Sequence, residues 1–161
     1  MLPIGLTLNH MLDMAHAQAE RVLVGTSEDL MPVFLFINGK GESGVIGAPF
    51  RSTIEKDMVA DAARKLFADK QAVAYSFLSE AWMASVKHQR EYDGPPPSAL
   101  PDRIEVVMAL AETATERKSR MWKIVRGEGN VCIRLENMGE VGDVKSLSGR
   151  FSGLLASQTR H

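Results

Sequence analysis

The chain has 161 residues, 45% of them hydrophobic and 24% charged, with a formal net charge of −1. That size suits a single domain, 1–161, with its own core, and the composition is globular rather than disordered. It excludes a basic nucleic-acid footprint as the dominant feature, and no apolar run approaches the roughly 20 residues of a membrane helix.

The N-terminal Met1-Leu-Pro-Ile-Gly-Leu carries no basic n-region, so no signal peptide is expected. Cys132 is the only cysteine. It rules out an internal disulfide and a cysteine-built metal site, and a reducing, cytoplasmic setting is expected.

Residues 7–24 read as a helix that Thr7 can start and Gly25 can end. Leu8, Met11, Leu12, Ala15, Ala19, Val22 and Leu23 recur at helical spacing. His10, Asp13, His16 and Glu20 fall on the opposite stripe, which is read as a solvated face rather than a metal site. Residues 31–38 are a strand with apolar side chains on both faces, Val33, Leu35 and Ile37 against Phe34 and Phe36. Asn38-Gly-Lys-Gly41 then turns the chain into a short strand over 43–47.

Gly39-Lys-Gly-Glu-Ser-Gly44 spells the glycine spacing of a dinucleotide fingerprint after a strand. The context fails, because Val45-Ile46-Gly47-Ala48-Pro49 follows where a helix must open toward the pyrophosphate. No nucleotide or other cofactor is expected.

Ser52-Thr-Ile-Glu55 is a capping box that begins a helix over 52–68. Its expected buried stripe is Ile54, Met58, Val59, Ala62 and Leu66. Residues 72–84 form the long central strand, with Val73, Tyr75 and Phe77 on one face and Ala74, Ser76, Leu78, Glu80 and Trp82 on the other. Residues 86–101 are a proline-rich loop, read as a spacer. Strands follow at 103–113, 118–126 and 131–135, joined by reversals. A linker over 137–145 leads to a short helix over 147–157 that buries Phe151, Leu154 and Leu155.

These elements assemble into an α+β fold. A single antiparallel sheet of about six strands, in the order 2-1-3-4-5-6, packs with two long helices and the short C-terminal one. The order places the two strands that are apolar on both faces in the sheet's interior.

Pairing of the third and fourth strands would bring Glu80 and Trp82 to Arg103 and Glu105. Two carboxylates beside a guanidinium and an indole are the expected binding residues, serving an ion pair, a small anion or acid–base work. Arg51, before the capped helix, is a further candidate contact. No metal ligand set and no catalytic signature is present.

Ser79-Glu-Ala-Trp82, followed by Asp102-Arg-x-Glu105, resembles a scattered group of uncharacterised bacterial and phage-encoded proteins. The resemblance reaches weakly to Glu55-Lys-Asp-Met58 and covers about a third of the chain. It implies a prokaryotic or phage protein and transfers no activity.

The leading functional expectation is a small binding or interaction module whose partners are a second copy, another protein or a small anionic ligand. The alternative is a hydrolase-type enzyme using Glu80 and Glu105. A nucleic-acid binder would require Arg120, Lys123, Arg126 and Arg134 to form one patch.

Overall fold

The chain alternates between segments that must be apolar on both sides and segments that need only one dry face, and the architecture follows from that. The computed structural model describes residues 8–50, 52–83, 104–141 and 154–155, without the side chains of Thr53, Trp82, Met83, Glu140 and Val141. Helices α1 (Leu8–Leu23) and α2 (Thr53–Lys70) accompany strands β1 (Val33–Asn38), β2 (Ser43–Gly47), β3 (Ala72–Met83), β4 (Ile104–Thr113), β5 (Arg117–Arg126) and β6 (Cys132–Val141). The strands form one sheet in the order β2-β1-β3-β4-β5-β6, antiparallel at every pairing. No described helix is long and apolar enough to cross a membrane.

The two faces of the sheet are covered separately. On one face α1 buries Met11, Leu12, Ala15, Ala19 and Leu23 against Val33, Leu35, Ile37, Leu78, Val107, Trp122 and Ile124. Trp122 is 2% exposed, and the His16 ring lies flat on it at 5.0 Å and 8°. Arg120 closes the other margin through Asp13 at 2.9 Å and Asn9 at 3.2 Å. The polar stripe of α1 is otherwise solvated as expected, with His10, Asp13 and Glu20 exposed; His16 is the member that turns onto β5.

On the second face α2 packs against an aromatic cluster of Phe34, Phe36, Phe67 and Tyr75. Ser52 caps α2 by accepting the Glu55 N–H at 3.1 Å, and Gln71 ends it in the left-handed region at φ 57°. Leu154 and Leu155 are buried beside this cluster, where the Leu154 N–H donates to the Tyr75 hydroxyl at 3.5 Å. They are the described part of the expected terminal helix and carry no helical assignment; the rest of 147–157 lies outside the described residues.

The buried stripe of α2 matches the expected one in Val59 and Leu66, which pack against the cluster, and differs in the rest. Ala60, Ala63 and Phe67 face the sheet, whereas Ile54 is 72% and Met58 64% exposed. Small side chains let the helix approach the aromatic layer, which a row of isoleucine and methionine would hold off.

Some boundaries also moved, while the first hairpin and β2 stand where they were expected. β1 starts after Met31 and Pro32, and the Pro32 carbonyl accepts the Ala48 N–H at 2.7 Å. The Asn38–Glu42 turn is a hairpin pinned by the Asn38 side chain, which accepts the Lys40 and Glu42 N–H groups at 2.9 Å. β2 follows it directly, so the glycine spacing belongs to a turn. β6 runs to Val141, through the segment expected to be a linker. A register shift between Arg120 and Trp122 absorbs one extra residue near Gly139, whose φ is 94°.

Candidate functional site

At the Trp82 end of β3, Glu80 and Glu105 come together with Arg126 beside them; Arg103 lies outside the described residues. Glu80 pairs with Val107 across the β3–β4 ladder, and Trp82 pairs with Glu105. Side chains alternate along a strand, so Glu80 and Glu105 emerge on the same, α1-covered face as diagonal neighbours.

A strap brings the remaining members. α1 stops because Gly25 turns left-handed at φ 84°. The Thr26 hydroxyl caps the helix, within hydrogen-bonding distance of the Val22 and Leu23 carbonyls at 3.1 and 3.0 Å. The strap then joins β6: the Gly25 N–H donates to the Cys132 carbonyl, and the Cys132 N–H to the Thr26 carbonyl, both at 2.8 Å. To reach β1 from β6 the chain must pass over the ends of β5, β4 and β3. That passage sets Asp29 and Leu30 over Glu80. The Leu30 N–H donates to a Glu80 carboxylate oxygen, and Leu30 itself is buried.

Arg126, at the end of β5, grips Glu105 with two bonds, Nε to Oε1 at 2.6 Å and Nη2 to Oε2 at 3.1 Å. Its third nitrogen reaches the Asn130 carbonyl at 2.9 Å. The side chains of Arg126 and Glu105 keep 11% and 18% of their exposure. This forked, partly buried pair is the strongest charge contact at the site. The hydrogen bonds to Glu105 raise the Arg126 pKa further above its ordinary value.

Asp29, Glu80 and Glu105 each offer a carboxylate oxygen within 4.8 Å of the others. Burial pushes the Glu80 pKa up; the Leu30 N–H opposes that, and Glu105 and Asp29 add to it. Cys132 is fully buried next to the group and donates its S–H to the Arg134 carbonyl at 3.6 Å. Burial raises its thiol pKa, with Arg126 pulling the other way. A buried, protonated thiol is a packing residue rather than a nucleophile.

Three oxygen donors of this kind are what a hard divalent cation takes. As built, however, Glu105 is held by Arg126 and Glu80 by the Leu30 backbone. The arrangement ties the strap to β6 and β3, while the Arg126–Glu105 pair joins β5 to β4 beneath it.

Of the binding residues expected from sequence, Glu80 and Glu105 therefore meet. The backbone of Trp82 lies beside Glu105, but its side chain is outside the described residues, as are Arg103 and Arg51. Asp29 and Arg126 were missed. Arg126 carried a usable signal: on β5 it follows Trp122 and Ile124 on the apolar face, so it needs a carboxylate from the facing end of β4, and Glu105 is the one available. Asp29 carried none, since only the strap's path places it.

The four cations of the nucleic-acid reading do not form one patch. Arg120 and Arg126 share the face of Trp122 and are spent on Asp13 and Glu105. Lys123 lies opposite Val106 on the other face, and Arg134, opposite Val125, is paired to Glu136 at 2.6 Å.

A second feature lies on the α2 side. Phe34, Ile46, Gly47, Ala48, Val59 and Leu66 line an apolar groove of about 300 Å³ between α2 and β2. Ile54, Met58, Ala62 and Leu66 form one ridge at four-residue spacing along α2. It runs from the helix's outer surface, at Ile54 and Met58, into that groove at Leu66. β2 beside it is the edge strand of the sheet among the described residues.

No family model, curated protein or solved structure matches the chain.

Proposed function

We propose that this protein is an interaction module whose working surface is the outer side of α2 with the groove and edge strand beside it, and that the recognised chemistry is the apolar side chains of another polypeptide. The observation that carries this reading is the ridge ending in the groove: two large apolar side chains stand 72% and 64% exposed at its head. Scattered exposed apolar residues are ordinary, but a continuous row that runs into an apolar groove marks a contact surface. A reducing, cytoplasmic setting suits a module whose one thiol is buried.

The carboxylate cluster supports the other reading less well. A raised Glu80 beside a Glu105 neutralised by Arg126 has the asymmetry of an acid–base pair. Both carboxylates are engaged by protein groups, however, and three acids around one guanidinium disfavour an anionic ligand.

The test uses a fluorescent apolar probe that brightens on groove binding. Leu66→Glu should abolish the signal, with far-UV circular dichroism unchanged, and Glu80→Gln should leave it intact. A hydrolytic turnover that disappears in folded Glu80→Gln would overturn the proposal, as would probe binding that Leu66→Glu leaves unchanged.

A further inference from the structure

Resting on that reading, we infer that the partner is a second copy of this chain, packed α2 against α2 across a two-fold axis with the helices antiparallel. The ridge geometry comes first. Residues four apart on a helix make an inclined ridge, and two identical ridges interdigitate in the commonest helix-crossing class. Ile54, Met58, Ala62 and Leu66 are such a ridge, bulky at its outer end and reduced to alanine along its length. A bulky knob on one copy then meets a shallow place on the other, as a self-complementary contact requires.

Charge fixes the direction. The first half of α2 carries Glu55, Asp57 and Asp61 against Lys56, and the second carries Arg64, Lys65 and Lys70 against Asp69, so the halves are net acidic and net basic. Parallel packing would set acids on acids. Antiparallel packing sets the acidic half of each copy on the basic half of the other, with Asp57 and Asp61 facing Lys65. Asp61 and Lys65 flank the Ile54–Met58 row at helical spacing, where such a contact needs its polar rim. The Arg64–Asp61 pair within one copy, at 2.9 Å, is exposed enough to exchange partners.

Area limits the strength. An 18-residue helix is roughly 27 Å long, and a helix-on-helix contact of that length falls short of the ~800 Å² per partner of a standard interface. The copies should therefore exchange, associating in the micromolar range, unless the groove and the β2 edge extend the contact.

Sedimentation velocity over a concentration series tests this on the full chain. The expected result is a concentration-dependent monomer–dimer equilibrium. Met58→Glu and Ile54→Glu, both at exposed positions, should weaken it by roughly 100-fold while leaving the circular dichroism spectrum and melting temperature of the monomer in place. Lys65→Asp alone should weaken it by placing like charges together. Adding Asp57→Lys and Asp61→Lys should restore it.

A species that stays monomeric at several hundred micromolar overturns the inference. Self-association that survives Met58→Glu does so too, as does a charge reversal that fails to rescue. The apolar-probe experiment is read separately: a monomer whose groove still takes the probe removes the second copy and leaves the interaction-module reading standing.

Discussion

Replacing Arg126 by methionine tests whether the cluster under the strap is the structural clamp its geometry describes. Methionine keeps an apolar stem and removes three hydrogen bonds, two to Glu105 and one to the Asn130 carbonyl. It leaves Asp29, Glu80 and Glu105 with oxygens within 4.8 Å of one another and removes the guanidinium that pairs with Glu105. At an effective dielectric constant near 20, two unit charges at that separation repel by about 3.5 kcal/mol. Breaking one side of a fully buried pair costs about 3–5 kcal/mol. These side chains keep 11% and 18% exposure, so a loss of roughly 2–4 kcal/mol is expected at pH 7, read from urea titration.

Acid should shrink that loss. Protonating Glu80, whose pKa burial raises, removes its share of the repulsion and leaves the lost hydrogen bonds, about 1 kcal/mol each. The double variant Arg126→Met/Glu105→Met should recover most of the neutral-pH loss, giving a coupling energy of about 2 kcal/mol. A loss below 1 kcal/mol that does not change between pH 7 and pH 4, or a double variant whose effects simply add, would refute the clamp.

Glu80→Gln keeps an acceptor for the Leu30 N–H and removes a charge whose pKa is raised in the fold. The native state binds that proton more tightly than the unfolded chain. The corresponding stability is fully present below the ordinary Glu value of about 4.3 and is lost as pH rises through the folded value. The variant should therefore be the more stable protein at pH 7, by a fraction of a kcal/mol at this half-exposed position, and should match the parent near pH 4; a less stable variant at pH 7 contradicts this. Trp122→Ala, under α1 and the His16 ring, should cost about 3–5 kcal/mol in thermal or denaturant unfolding, and a loss under 1 would show that α1 is not docked as described. Gly44→Ala puts a Cβ 2.6 Å from the Phe36 ring and should cost roughly 1–3 kcal/mol, whereas a neutral result would mean the ring is free to move aside.

Much of the sheet was legible because the signals agreed. β1 and β3 are apolar on both faces and so must lie inside the sheet. Chain reversals between the later strands force antiparallel neighbours, and the capping box at Ser52 marks where the crossover helix begins. The Glu80–Glu105 juxtaposition followed from that order.

Arg126 stayed hidden because Arg103, two residues before Glu105, is the nearer cation in sequence. A diagonal contact reaches one strand further, and sequence adjacency does not rank diagonals. β6 was cut short because Asn137 and Gly139 read as loop residues. In the sheet, Asn137 accepts the Gly139 N–H at 2.5 Å and the pair makes a bulge that the ladder passes through.

The misreading of α2 is the most informative, because the periodicity was right and Val59 and Leu66 do pack inward, yet the centre of the buried face was misplaced. The helix carries two apolar rows, one of large residues from Ile54 to Leu66 and one built on Ala60, Ala63 and Phe67. Hydrophobicity alone assigns the large row to the core. Packing reverses the choice, because the sheet beneath already holds Phe34, Phe36 and Tyr75, and a face that supplies aromatic bulk needs alanines opposite it to reach interior density. Burying the larger row would also have drawn Asp61 and Lys65 toward those rings, at a desolvation cost no partner there offsets. The smaller row therefore closes the core, while the larger one leaves Ile54 and Met58 exposed at its outer end and tucks Leu66 against the aromatic cluster.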